Sequence, residues 1–234
     1  MEFQPVTRKA VSDTVYGQLV NEILSGRTPP GAAIPSEREL ALTFQVNRHA
    51  VREALKRVQQ TGLVRISHGG STRVLDWRSN VGLEALSALV AAGVVPPEAI
   101  LRDVAVMRRT IGADAARICA GSADTDQMSR VADAARDYQP THEADVEFWT
   151  AIVAGSGNLA YRLALNTLVT AIDDIGAARV HELGAAEIND RDAHLALAEA
   201  ILAHDGEAAH RLAHQMLSHI IAALDIAALE TGEN

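Results

Sequence analysis

The stretch VNRHAVREALKRV, residues 46–58, carries Arg48, Arg52, Lys56 and Arg57 in a chain whose formal net charge is −9. Placed on a helix at about 100° per residue, Ala50, Val51, Ala54, Leu55 and Val58 share one side, and Arg48, His49, Arg52 and Lys56 take the other. One edge of this helix is built for burial, the other to present positive charge. A solvated amphipathic helix satisfies that pattern as well as a polyanion-binding one, so the flanking sequence has to separate the two.

Upstream, Ser36 stands three residues before Glu39, the spacing of a capping box, and predicts a short helix running through Thr43. FQVN then makes a turn in which Asn47 caps the basic helix. Farther back, Val11, Val15, Leu19, Val20, Ile23 and Leu24 recur at helical spacing, Gly26 stops that helix, and RTPPGAAIP reads as a rigid, extended linker. Downstream, GLVRI and TRVLDW are strand-like runs around SHGGS, whose Gly69-Gly70 pair signals a hairpin turn. Helix, helix–turn–helix and β-hairpin, in that order, make a winged helix. The cationic edge then has a purpose: a helix fits the DNA major groove, arginine pairs bidentately with guanine, and basic side chains neutralise phosphates. Arg38 approaches from the second helix, and His68 at the wing tip has a glycine beside it that admits it to the minor groove.

Charge divides the chain in two. Residues 1–80 hold 11 Lys or Arg against 7 Asp or Glu, a net of +4, and residues 81–234 hold 10 against 23, a net of −13. That asymmetry assigns a basic part to a polyanion and an acidic part to another task, with expected domains 1–78 and 79–234. Hydrophobic residues are 48% of the chain and aromatics 3%, a balance rich in Ala that favours closely packed helices. A single cysteine, Cys119, rules out an intramolecular disulfide and fits a reducing cytoplasm. The first twenty residues lack the apolar run of a secretory signal, and no apolar window reaches the roughly 20 residues of a membrane span. Beyond Val81, helices are expected near 81–93, 98–120, 124–138, 143–154, 158–179, 187–204 and 206–230, with GSGN as a helix stop followed by a new N-cap. The expected fold is mostly α: an N-terminal winged helix–turn–helix with a small β-hairpin wing, then an all-helical, effector-binding bundle.

IPSERELALTFQVNRHAVREALKRVQQTGLVRISHGGSTRV resembles the signature of the GntR superfamily of bacterial repressors: Pro-Ser-Glu-Arg, Leu-Ala, a turn ending in arginine, Val-Arg-Glu-Ala-Leu, Gly-Leu-Val and a Gly-rich wing. The resemblance implies DNA-contacting roles for Arg38, Asn47, Arg48, His49, Arg52, His68 and Gly69. Asn47 stands where the family has a turn serine or threonine, and His49 where it has a small hydroxyl residue, so the preferred operator differs while binding survives. DVEFWTAIVAGSGNLAYRLALN, AHLALAEAILAHDGEAAHRL and the joining stretch HGGSTRVLDWRSNVGLEALSAL resemble the FadR branch, whose namesake responds to fatty acids. This implies a homodimer on a near-palindromic double-stranded DNA operator, and an acyl-CoA or related metabolite as small-molecule effector. A GntR-type regulator responding to another small organic acid, held without metal, is the alternative.

Effector-binding candidates are Arg108, Asp145, Trp149, His194 and Ser218. Arg108 and its neighbour Arg109 offer an anionic headgroup two cations, though pairing with the many carboxylates between helices is the competing reading. Ser218 falls where fatty-acid-responsive members carry a ligand-linked serine, while Gln215 and Ala222 depart from its neighbours there. Many bundles of this branch hold a divalent metal through one Asp and three His. The positions here are Asp145, Trp149, His194 and Met216, and the indole and thioether predict no metal and no cofactor. His204, His210, His214 and His219 read as surface residues of a long helix. Asp145, Glu147 and His194 can be drawn as an acid–base set, but no nucleophile, oxyanion site or phosphate loop accompanies them, and no enzyme activity is expected. A metal-dependent enzyme with a DNA-binding module, or a sequence-indifferent architectural DNA binder, are the rival classes.

Overall fold

A computed structural model describes residues 11–66, 71–92, 97–175 and 182–230. The chain forms two compact units, Met1–Val95 and Pro96–Asn234, so the junction lies later than the sequence placed it. The cause is the stretch of chain after the wing. A one-turn helix α4 (Trp77–Asn80), a 3-10 turn (Leu83–Ala85) and α5 (Leu86–Ala91) all belong to the first unit, and α5 packs on α1 (Val11–Leu24). The helix expected over 81–93 starts only at Leu83, as the 3-10 turn that leads into α5, because Val81 and Gly82 are extended.

In the first unit α1 buries Val15, Leu19, Val20, Ile23 and Leu24, the apolar positions of its helical repeat. Next, α2 (Glu37–Thr43) opens with the expected capping box: the Glu39 amide donates to Ser36 Oγ at 3.3 Å and the Ser36 amide to Glu39 Oε2 at 2.8 Å. Then α3 (Arg48–Gln60) starts where Asn47 Oδ1 accepts from the Ala50 amide at 2.9 Å. Its buried residues are Ala50, Val51, Ala54, Leu55 and Val58, the five the wheel put together, and they pack on α1 and α2. Each of the buried Val and Leu side chains there contributes roughly 1.5–3 kcal/mol.

The wing pairs β1 (Val64–Arg65) antiparallel with β2 (Arg73–Val74), Val64 opposite Val74 and Arg65 opposite Arg73. Both valines are buried and both arginines exposed, the alternation a half-buried sheet requires. The stretch read as a linker is a third edge of this sheet. Ala33 bridges to Arg73, the Ile34 amide donates to Thr72 O at 2.8 Å, and the Val74 amide donates to Ala32 O at 3.0 Å. Its backbone polar groups would otherwise be unpaired beside the buried Ile34.

The second unit is helical throughout its described residues: α6 (Pro97–Ser122), α7 (Thr125–Arg136), α8 (His142–Gly155), α9 (Leu159–Ile175), α10 (Ala185–Ile188), α11 (Arg191–Leu202), α12 (Gly206–Met216) and α13 (His219–Glu230). Side chains of Asp124, Thr141, Asn158, Asp190 and Asp205 cap the N-termini of α7, α8, α9, α11 and α12, and Gly157 at φ 64° ends the turn before α9, as GSGN implied. Central α6 packs on α8, α9, α11, α12 and α13. Its Ala113, Ala116, Cys119 and Ala120 meet Ala209 and Ala213 of α12 in one core with Phe148, Ile152, Leu197 and Ile201. Small side chains bring the backbones close: a Cβ on Gly206 would lie 3.1 Å from Arg117 O.

Two helix boundaries differ from the expectation. The last helix is two, because its halves serve different cores. Met216 and Leu217 close the main core, while Ile220, Ile221 and Leu224 join Leu101, Ala105 and Leu183 in a smaller one, and a turn at Leu217–Ser218 redirects the chain between them. Likewise α11 begins at Arg191, capped by Asp190, which leaves Glu187 on the separate one-turn α10.

Candidate nucleic-acid interface and effector cavity

On α3 the side chains of Arg48, His49, Arg52 and Lys56 are exposed, as is Arg38 on α2. Arg57 is different: it is ion-paired to Asp13 and lies 4.3 Å over the Tyr16 ring, tying α3 to α1. Asn47 is exposed, with its carbonyl oxygen engaged in capping α3. Arg52 is not solitary either. It forms a bidentate pair with Glu37 of α2, Nη2 to Oε2 at 2.8 Å. That partnership, and the capping by Ser36, make α2 and α3 one rigid presentation of positive charge. The expected wing-tip contacts His68 and Gly69 lie outside the described residues.

In the second unit, Arg108 of α6 reaches across the bundle. Its Nη1 and Nη2 donate to Glu187 Oε2 and Oε1 at 2.8 and 2.7 Å, and Nη2 also donates to Asp145 Oδ2 at 3.1 Å. Glu187 and Asp145 are 2% and 5% exposed, so these are buried charges that survive only by being paired. Burial works against the Arg108 charge, but the Glu187 and Asp145 carboxylates outweigh it and raise the guanidinium's pKa. Burial pushes the Glu187 carboxyl up, with Arg108 opposing; the two-pronged contact is that of a carboxylate on a guanidinium.

The other oxygen of Asp145, Oδ1, accepts from Trp149 Nε1 at 3.2 Å and faces His194 Nε2 at 3.5 Å. His194 is fully buried, stacked on Tyr138 with ring centroids 3.8 Å apart. Its Nδ1 lies 2.7 Å from Asp190 O, and a carbonyl oxygen only accepts, so Nδ1 carries a proton. Tyr138 anchors the group by donating to Ile188 O at 2.9 Å.

Beside Arg108, Asp145, Trp149 and Glu187 lies a cavity of about 50 Å³ whose remaining lining includes His142, Val146, Leu165, Leu168, Ile188 and Ile220. Of the five effector candidates, Arg108, Asp145 and Trp149 line it, and His194 supports Asp145 from behind. Ser218 is not in the lining; it donates to His214 O at 2.6 Å and accepts from Arg109 at 3.4 Å. Glu187, the principal partner of Arg108, escaped the sequence reading. Its signal was a lone acid between the apolar AA and I of GAAEI.

The residues do not suit the divalent metal that related bundles hold. Trp149 uses its indole N–H on Asp145, the Arg108 guanidinium occupies the second oxygen of Asp145, and Met216 is in the main core away from the cavity lining. Among the described residues no group of three or more His, Cys, Asp or Glu is disposed to hold a metal ion. The surface expectation for the last histidines holds for two of the four. His204 and His214 are exposed, but His210 and His219 are half-buried, and His219 Nδ1 is enclosed without a hydrogen-bond partner among the described residues. His219 begins α13 at the point where the chain turns between the two cores, so the redirected helix carries it inward.

No helix among the described residues is long and apolar enough to cross a membrane. Residues 11–74 match the model of the gntR family of bacterial regulatory proteins, and residues 103–219 match the FCD domain. The HTH-type transcriptional regulator Mce2R of Mycobacterium tuberculosis is 32% identical over 223 residues, 93% of this chain and 92% of that one. A fatty acid metabolism regulator protein of Vibrio cholerae is 33% identical over 93 residues, 40% of this chain and 33% of its own length. A solved GntR-family regulator from Pseudomonas syringae aligns over 97% of this chain and 90% of its own, with 18% identity and a TM-score of 0.47. With a helix–turn–helix unit matching the first model and a helical bundle matching the second, the chain belongs to the GntR family and is a ligand-responsive transcription regulator whose second unit is an FCD domain.

Proposed function

We propose that the chain works in the cytoplasm as a homodimer that sets two α3 helices in successive major grooves of a near-palindromic operator. We propose further that it catalyses no reaction and that its effector is a small organic acid seated in the Arg108 cavity. The observation that carries the effector reading is the cavity itself: apolar walls, one buried cation, and a volume of about 50 Å³. That is far below the roughly 300–1,000 Å³ of sites for drug-sized ligands. A short acid fits such a space, whereas a long acyl chain requires the helices to part.

Arg108 already carries two carboxylates, so an incoming anion has to displace one. Asp145 is the one to yield, since its contact is single and longer, and Trp149 Nε1 still donates to its other oxygen at 3.2 Å. Exchange of that contact shifts α8 against α6, and a coupling of roughly 1–3 kcal/mol changes operator occupancy about 5- to 150-fold.

Acyl-CoA is the second reading, supported by likeness to the Vibrio fatty acid regulators. That likeness covers 93 residues, 40% of the chain, and its support for the effector is indirect because DNA recognition alone can account for it. Thermal shift of the full chain with a panel of two- to six-carbon acids and with long-chain acyl-CoA separates the two. Stabilisation by an acid, lost in Arg108→Met, supports the first; stabilisation by acyl-CoA alone replaces it with the second.

A further inference from the structure

On the face that meets DNA, α2 places an acid among cations. Glu37 and Arg52 are 15 residues apart and meet across the helix–turn–helix, with side chains 36% and 64% exposed. Arg52 Nε donates to Glu37 Oε1 at 3.0 Å and Oε2 at 3.2 Å, and Nη2 donates to Oε2 at 2.8 Å. The carboxylate therefore takes the Nε–Nη2 edge of the guanidinium. The other edge, Nη1 with the second N–H of Nη2, meets no acceptor among the described residues.

Stability does not account for this pair, since exposed ion pairs contribute little. For phosphate binding it is a disadvantage, because Glu37 neutralises one of the cations α3 offers and adds a negative charge beside the duplex. Arg48 and Lys56, on the same helix, form no salt bridge among the described residues, Arg48 acting on Glu37 only as a nearby charge that helps lower its pKa after the hydrogen bond and charge of Arg52. They are suited to the backbone.

We propose that Glu37 is a positioning residue for base readout: by clamping one edge of Arg52 it aims the other at the O6 and N7 acceptors of a guanine, and it withholds Arg52 from indiscriminate contact with phosphate. The two-pronged geometry guanine requires is the fork that Glu37 leaves open. Arg52 and Glu37 then act as one reader, rigid before DNA arrives, and the ordering of a long side chain is completed on folding rather than on binding.

The proposal rests on operator binding through α3, and its test distinguishes the two. The full-length protein selects from a pool of random-core DNA duplexes, and the enriched duplex and a scrambled duplex of equal composition are titrated by fluorescence anisotropy over a range of salt. Glu37→Gln is expected to bind the scrambled duplex a few-fold more tightly, with a salt slope steeper by up to about one unit. Its preference for the enriched duplex should fall roughly tenfold, with the loss confined to one guanine of each half-site. Arg52→Lys should lose preference at that same guanine, and adding Glu37→Gln to it should cost nothing further there. Equal weakening on both duplexes, an unchanged salt slope, or effects of the two substitutions that simply add would overturn the positioning role. If Glu37→Gln melts markedly lower than the parent, the role is structural and the proposal fails. Failure of the parent protein to enrich any duplex sinks the operator reading, and this one with it.

Discussion

At the scale of single residues, Gln45 occupies the turn between α2 and α3 with φ 55°. A left-handed backbone costs a side-chain-bearing residue roughly 1–2 kcal/mol, and glycine escapes most of that while losing more freedom on folding. Gln45→Gly is therefore expected to stabilise the protein by about 0.5–1 kcal/mol, read as a higher urea midpoint with an unchanged slope. The opposite sign holds at Arg108. Arg108→Met leaves Glu187 and Asp145 buried without a counter-charge, which costs about 3–5 kcal/mol, and adding Glu187→Gln and Asp145→Asn should recover most of it. In the single variant nothing opposes the burial that already raises the Glu187 carboxyl, so its folded-state pKa lies above the unfolded value of about 4. Such a group favours the folded state below the unfolded pKa and penalises it as pH rises, so the deficit should shrink as pH falls from 7 toward 4. Urea unfolding at several pH values checks both points.

Among elements, the contact of α6 with α8 depends on a missing side chain. A Cβ at Gly155 would collide with Cys119 Sγ, and Cys119 is fully buried. Gly155→Ala should destabilise the bundle by about 1–3 kcal/mol through overpacking. Cys119→Ala in the same chain should relieve much of that, since its own Cβ leaves ordinary space at 3.6 Å. A double-mutant cycle in which the two costs merely add would contradict this coupling. Burial also pushes the Cys119 thiol up to about 11. An alkylating reagent at pH 8 should leave it unmodified in the folded protein and label it in urea.

For the whole molecule, the division of charge between a basic and an acidic part is a statement about salt. DNA affinity should fall steeply and linearly on a log–log plot as salt rises, with the slope set by phosphates met from α2, α3 and the wing. The second unit offers a test of the guanidinium in place of a metal. Prolonged chelator treatment should leave the melting temperature unchanged within about 1 °C, because Trp149 and Arg108 already engage both oxygens of Asp145 and Met216 lies in the main core. A large drop restored by zinc or nickel would show that the cavity residues rearrange around a metal.

Much of the first unit was legible in sequence because its signals are local. Capping residues, turn glycines and the apolar repeat of α3 act over one or two turns of chain, so Ser36, Asn47 and the five buried positions of α3 could be read in place. The cap Asn158 and the long helices of the bundle were legible for the same reason. What sequence did not disclose depends on groups far apart along the chain. Glu37 on Arg52, Glu187 and Asp145 on Arg108, and residues 32–34 on β2 are joined only by folding. The same holds for the division of the last helix between two cores. Periodicity records which face is apolar, but not which neighbour covers it or which carboxylate meets a given arginine. Those choices fall to the packing of α2 on α3, and of α6 among its partners.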